Sequence, residues 1–112
     1  MRRGEVWWGR PPLPGASNKR RPFVVVSADA FNANESFRKV MVVHLTTVPR
    51  RGGPYDWEVS LPRGTAGLPL ASTAKCAEVC TLWKDDLVEL AGTLPREYVA
   101  RLDQALSVAL SL

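Results

Sequence analysis

The sequence has few of the residues that build metal sites and disulfide frameworks. Its only histidine is His44, and its only cysteines are Cys76 and Cys80. On an extended strand these two cysteines would lie about 13 Å apart, at about 3.3 Å per residue, which a disulfide cannot span. Since a structural zinc site needs about four ligands, we expect two free, buried thiols and neither a metal nor another cofactor.

Long hydrophobic runs are also absent. No window approaches the roughly 18 apolar residues of a membrane span, and the opening residues do not continue into the apolar region of a signal peptide. We therefore expect a cytoplasmic protein that makes no contact with membranes. Its 112 residues suffice for one hydrophobic core, which predicts one domain over residues 1–112.

Positive charge is concentrated in the first half of the chain. Residues 1–51 hold ten Lys and Arg against three Asp and Glu (+7), whereas residues 52–112 hold five against eight (−3). A basic half favours a polyanionic partner, because each phosphate that a protein neutralises releases counterions. The alternative is that these charges only solvate the surface.

Proline and glycine divide the chain into short runs rich in β-branched residues, which are typical of strands. The predicted strands cover residues 6–8, 23–27, 38–46, 57–61, 74–82 and 87–93. Five or six antiparallel strands with short connections favour a mainly β fold whose sheet curls into a small barrel. On the third strand, alternation separates Val40, Val42, His44 and Thr46 from Met41, Val43 and Leu45, and the second set makes the better core.

The last segment has a different periodicity. After Pro95, apolar residues recur at helical spacing at Val99, Leu102, Leu106 and Leu110. This pattern predicts a C-terminal amphipathic helix that packs on the sheet. A helix that offers this stripe to a partner is the alternative.

Cations and hydroxyls occur at the ends of two neighbouring predicted strands. Lys19, Arg20 and Arg21 precede the second strand, and Thr46 and Thr47 close the third. An arginine fork can hold two phosphate oxygens and a hydroxyl can add a hydrogen bond, so Arg21 with Thr46 indicates phosphodiester chemistry.

A guanidinium with a pKa above about 12 is poorly suited to proton transfer near neutrality. His44 shares a strand face with Thr46, about 7 Å away, and is one candidate for proton transfer. Glu78 is the other. The alternative for His44 is an imidazole at the surface or at an interface, with no catalytic role.

Short motifs occur in a characteristic order along the chain: Gly4-Glu5-Val6-Trp7, Arg21-Pro22 with the Val run and Ser27, Ala30-Phe31-Asn32, Leu45-Thr46, Gly67-Leu68-Pro69 and Leu102-Asp103-Gln104-Ala105-Leu106. Through them nearly the whole chain resembles the MazF/PemK family of toxin endoribonucleases. The resemblance implies a small SH3-like antiparallel β-barrel of the CcdB/PemK type with a C-terminal helix, working as a homodimer. It implies that Arg21 and Thr46 are the catalytic residues.

The resemblance also implies a toxin that cuts single-stranded RNA at a short sequence without metal, inhibits translation and growth, and is neutralised by a MazE-like antitoxin. Such cleavage uses the neighbouring 2′-hydroxyl as nucleophile and leaves a 2′,3′-cyclic phosphate and a 5′-hydroxyl. Amides, hydroxyls and cations of the loop over residues 10–20 suit reading of base edges and the RNA backbone. The predicted RNA-binding residues are Arg10, Ser17, Asn18, Lys19, Arg20, Thr47 and Lys75.

Some positions depart from the family pattern. Ala77 stands where an acidic residue is common, Glu78 where an amide is usual, and Cys80 where an arginine is frequent, whereas Lys75 matches a position where some members carry a cation. A mechanism that needs a carboxylate at position 77 is therefore in doubt.

Two other functions fit the same fold. One is a non-catalytic poison of the gyrase-directed kind, which relies on aromatic residues at its C-terminus, whereas this sequence ends Leu110-Ser111-Leu112. The other is a nucleic-acid-binding module without catalysis, for which the basic half and four tryptophans would suffice.

Overall fold

The computed structural model describes residues 1–10, 19–47 and 52–112, and within them six strands form one antiparallel sheet. The strands are β1 (Glu5–Gly9), β2 (Arg21–Val25), β3 (Lys39–Thr46), β4 (Glu58–Leu61), β5 (Ser72–Trp83) and β6 (Leu87–Thr93). The short helix α1 (Asp29–Asn32) joins β2 to β3, and α2 (Arg96–Leu110) follows β6. The mainly β fold with a C-terminal helix is therefore confirmed.

The sheet has the strand order β4-β5-β3-β2-β1-β6, and its edge strands β4 and β6 do not pair with each other in the described ranges. It is therefore not a closed barrel, which corrects the expectation of closure. The reason is that the short 3₁₀ turn Thr65–Gly67 lies against β6. A Cβ at Gly92 would lie 2.5 Å from the Ala66 carbonyl, and one at Gly67 would collide with the Ala91 carbonyl. Two glycines thus allow backbone to pack directly on backbone.

Both faces of the central strands carry apolar clusters. On one face Val43 and Leu45 pack with β1, β4 and α2, as predicted. On the other face Val40 and Val42 are fully buried with Phe23 and Leu82, whereas Met41 is 39% exposed. The assignment of Met41 to the core was therefore wrong, because Met41 is left uncovered on the face of Val43 and Leu45 while the opposite face, with Val40 and Val42, forms a second core.

Helix α2 begins directly after Pro95 and covers the larger cluster. Leu102, Ala105 and Leu106 are buried, whereas Leu110 is 54% exposed. The helix is also held to the N-terminal segment by an ion pair of 2.7 Å between Arg3 and Asp103. Core packing thus accounts for most of the apolar stripe. In the described ranges, no helix is both long enough and apolar enough to cross a membrane.

Candidate active site

The pairing of β2 with β3 aligns Arg21 with Thr46, the two predicted catalytic residues. The antiparallel register places Phe23 opposite His44, and continuing it by two residues brings Arg21 opposite Thr46. Residues two apart on a strand share a face, so all four side chains belong to one face of the sheet. Arg21 is exposed and Thr46 is half-buried at the end of this face.

A bulge in β5 brings two more charged residues to the same place. Across β3, Val43 pairs with Val79 but Leu45 pairs with Ala74, so four residues of β5 lie opposite His44 alone. Bulges of this kind redirect side chains and are common beside active sites. The bulge contains Lys75 and Glu78, whose Nζ and Oε2 atoms lie 3.5 Å apart.

His44 lies at the centre of this group. Its half-buried imidazole packs against the Phe23 ring, with 5.9 Å between centroids. Burial lowers the pKa of His44 below its usual 6.5, Glu78 opposes that shift, and the positive charges of Arg21 and Lys75 lower it further. The imidazole is therefore neutral at pH 7, so one ring nitrogen can accept a proton.

Arg20 is not part of this group. Its guanidinium lies over the Trp8 ring, 5.6 Å from the centroid, and its Nη2 is 3.0 Å from Oε1 of Glu89 on β6. The Nη2 contact is not aligned as a hydrogen bond, and the buried Nε has no partner among the described residues. Because Trp8 pairs with Pro22, it lies on the face opposite to Arg21. The two consecutive arginines therefore serve different faces.

Three other predicted RNA-binding residues lie at the surface near strand ends. Arg10, Lys19 and Thr47 are exposed near the ends of β1, β2 and β3. Ser17 and Asn18 lie outside the described residues, as does most of the predicted recognition loop.

The described residues contain no group of three His, Cys, Asp or Glu side chains placed to hold a metal ion. Both cysteines are free, but the expectation that both are buried is correct for Cys76 only, since Cys80 is exposed. Burial and the nearby Glu58 raise the pKa of Cys76 to about 11, so this thiol is protonated and unreactive at neutral pH.

One aromatic contact was not predicted from the sequence. The Tyr55 and Trp57 rings stack with 4.5 Å between centroids and 19° between planes, just before β4. Both rings belong to a turn that is closed by a hydrogen bond of 2.9 Å from the Glu58 amide to the Tyr55 carbonyl, so strand alternation provides no signal for this contact.

Comparison with known proteins gives a consistent result. A family model described as "PemK-like, MazF-like toxin of type II toxin-antitoxin system" matches residues 2–110. Endoribonuclease MazF2 of Mycobacterium bovis is 30% identical over 112 residues, with 98% of this chain and 96% of that protein covered. Endoribonuclease MazF9 of Mycobacterium tuberculosis is 31% identical over 115 residues, with 100% and 98% covered.

Solved structures show the same fold. A mycobacterial endoribonuclease in complex with its cognate antitoxin matches with a TM-score of 0.80 at 26% identity, covering 100% of this chain and 96% of that one. A MazE–MazF structure from Deinococcus radiodurans matches with a TM-score of 0.74 at 21% identity, covering 100% and 96%, and supports the fold alone.

Proposed function

Because the chain belongs to the PemK-like, MazF-like family of toxins of type II toxin–antitoxin systems, we propose that it is an endoribonuclease toxin. It cuts single-stranded RNA at a short sequence, without a metal, and thereby inhibits translation and growth. The observation that carries this proposal is the register that pairs Phe23 with His44 and that, continued by two residues, brings Arg21 opposite Thr46.

Arg21 and Thr46 bind the scissile phosphate in this mechanism. The planar guanidinium holds two phosphate oxygens, the Thr46 hydroxyl donates to one of them, and Lys75 adds positive charge. These groups stabilise the phosphorane, in which negative charge on the oxygens increases. Their contribution is electrostatic and needs no metal.

His44 is the proposed general base. Its neutral imidazole accepts the proton of the 2′-hydroxyl as that oxygen attacks phosphorus. The bond from phosphorus to the 5′-oxygen breaks, and the departing 5′-oxygen takes a proton from water. Water reaches this end of the site because Arg21 is exposed. The products are a 2′,3′-cyclic phosphate and a 5′-hydroxyl. Glu78 orients this cluster through its pair with Lys75.

The proposed partners follow from the family and from charge. A MazE-like antitoxin with an acidic, partly disordered segment would cover the same cationic face and displace RNA. A related mycobacterial endoribonuclease is known in complex with its cognate antitoxin, which supports this proposal. We also propose that the protein works as a homodimer.

Substitutions at Arg21 and Thr46 test the site. We expect Arg21→Ala and Thr46→Val to lower kcat about 10²- to 10³-fold, as loss of one oxyanion donor does. Arg38→Ala is the matched control, because Arg38 is paired with Asp85 near the opposite end of β3. A fluorescent RNA cleavage assay measures kcat, and circular dichroism verifies that each variant is folded.

Two outcomes would contradict the proposal. Full activity of Arg21→Ala would remove the proposed site. Wild-type protein that binds RNA but leaves it intact would instead indicate a binding module.

A further inference from the structure

The row of cross-strand partners that contains the catalytic pair continues over two more strands. Thr46 pairs with Thr73 of β5, and Thr73 pairs with Ser60 of β4. Arg21 lies opposite Thr46 when the register of β2 and β3 is continued. One cation and three hydroxyl side chains therefore follow one another across β2, β3, β5 and β4. At about 4.8 Å per strand, this row is about 14 Å long.

Alternation along the strands places the Thr73 and Ser60 side chains on the catalytic face. Ala74 follows Thr73, Val59 precedes Ser60, and these two apolar residues pair with each other and are buried in the larger cluster. Successive side chains of a strand point to opposite faces, so both hydroxyls lie on the face away from that cluster. Thr46 lies there too, because the residue before it on β3 is buried in the larger cluster. The β5 bulge lies after Ala74, so the register is regular here.

The hydroxyl row is open to solvent and lies beside positive charge. Ser60 is exposed, and Thr73 is half-buried. Lys75 lies two residues after Thr73 and on the same face, where it pairs with Glu58 of β4. Serine and threonine hydroxyls are common ligands of phosphate and sugar oxygens. The row thus offers hydrogen-bond donors to a sugar–phosphate backbone that runs across the strands.

We propose that Thr73 and Ser60 bind the sugar–phosphate backbone of the nucleotide next to the cleaved bond. The inference rests on the proposed function and deepens it, because it adds two substrate-binding residues and sets the direction in which the RNA crosses the sheet. Arg21 and Thr46 hold the scissile phosphate, and the two further hydroxyls donate to oxygens of the neighbouring phosphate. Since every nucleotide carries the same phosphate, these contacts fix the position of the RNA and carry no sequence information.

Steady-state cleavage of an RNA oligonucleotide that the wild-type protein cuts tests the role of Thr73. Thr73→Val keeps the branched shape of the side chain and removes its hydroxyl. Loss of a hydrogen bond to a charged group raises KM about 10- to 150-fold. We expect kcat to change less than about threefold, because a contact made equally in the bound and transition states affects KM alone. Thr73→Ser retains a hydroxyl donor and should recover most of the loss.

The same assay tests Ser60. Ser60→Ala should raise KM about 2- to 12-fold, which is less than the effect at Thr73, because water competes for an exposed hydroxyl.

Thr81 provides a matched control on the same strand. It is exposed and pairs with Met41, which lies on the opposite face of the sheet. Thr81→Val makes the same chemical change as Thr73→Val and should keep the wild-type KM.

A single methylphosphonate, which removes the charge of one phosphate, identifies the group that Thr73 contacts. It is introduced in turn at each phosphate that flanks the cut site. At one of these positions it should raise the KM of the wild-type protein, and it should cost Thr73→Val at least about fivefold less, because the two changes remove one shared contact. Equal costs in both proteins at every position would overturn the proposed contact.

Failure of this inference is distinct from failure of the proposed function. If the wild-type protein does not cut RNA, the proposed nuclease function is wrong. If it cuts and Thr73→Val has the KM of Thr81→Val, the hydroxyl row is overturned as a binding surface and the nuclease assignment stands. A fall in kcat at unchanged KM would also overturn the inference, because it would place Thr73 on the scissile phosphate. Should Thr73→Val not fold, Ser60→Ala, at an exposed position of an edge strand, decides between the same results.

Discussion

Two consecutive arginines show how much of this site depends on single residues. Arg21 lies on the face with Thr46 and His44, whereas Arg20 packs on Trp8 and pairs with Glu89. The charge run in the sequence predicts where phosphate binds. It did not separate the two side chains, because that depends on which residue begins β2 and on what covers Trp8.

The pH dependence of cleavage tests His44 as the base. Only the neutral imidazole accepts a proton, so the rate falls as pH falls through the His44 pKa, which lies below 6.5. Lys75 lowers this pKa and Glu78 raises it. We therefore expect Lys75→Gln to move the acid limb of the kcat profile to higher pH and Glu78→Gln to move it to lower pH. An unmoved limb in both variants, or no acid limb at all, would leave His44 without a catalytic role.

At the level of elements, the strands and the C-terminal helix were largely predicted from the sequence. The predicted strand over 87–93 is the observed β6, and β3 starts within one residue of its predicted start. Contacts between segments that are far apart in the sequence could not be predicted. The β5 bulge depends on strand register, and the packing of the turn on β6 depends on the close approach of two backbones. Hydrophobic periodicity predicts neither of them.

The packing of α2 on the core predicts that substitutions at different positions of this helix lower the free energy of unfolding by different amounts. Leu102 is buried in the larger cluster, so Leu102→Ala should lower the free energy of unfolding by about 2–5 kcal/mol. Leu110 is exposed, and Leu110→Ala should change it by less than about 0.5 kcal/mol. Urea titration followed by circular dichroism measures both. Equal costs would mean that the helix is not docked through Leu102.

The turn against β6 predicts a second contrast, between two glycines with positive φ. Gly64→Ala meets nothing within 4 Å and should cost only the about 1–2 kcal/mol of a left-handed backbone. Gly67→Ala has the same backbone penalty and also collides with the Ala91 carbonyl, which adds about 1–3 kcal/mol. Thermal unfolding of the two variants reports the difference, and equal midpoints would show that the turn is not packed on β6.

At the level of the whole molecule, strand order gathers the basic half of the sequence. The strands β1, β2 and β3 are adjacent in the sheet, and strands from the acidic half flank them on both sides. The exposed cations Arg10, Lys19 and Arg21 lie at neighbouring ends of β1 and β2, so a polyanion that crosses this end of the sheet meets positive charge, which supports RNA rather than an uncharged ligand. The family resemblance in the sequence identified this fold and predicts Arg21 and Thr46 as the catalytic residues, but it gave no sign of the Tyr55–Trp57 pair or of the opposite placement of Arg20.

The most direct measurement of the central claim is cleavage, in EDTA, of one RNA oligonucleotide and of its twin with a single 2′-deoxy nucleotide at the cut site. We predict that the RNA is cut to a 2′,3′-cyclic phosphate and a 5′-hydroxyl, and that the twin is not cut at that position. Cleavage of the twin there, or cleavage that appears only when Mg²⁺ replaces EDTA, would contradict the account.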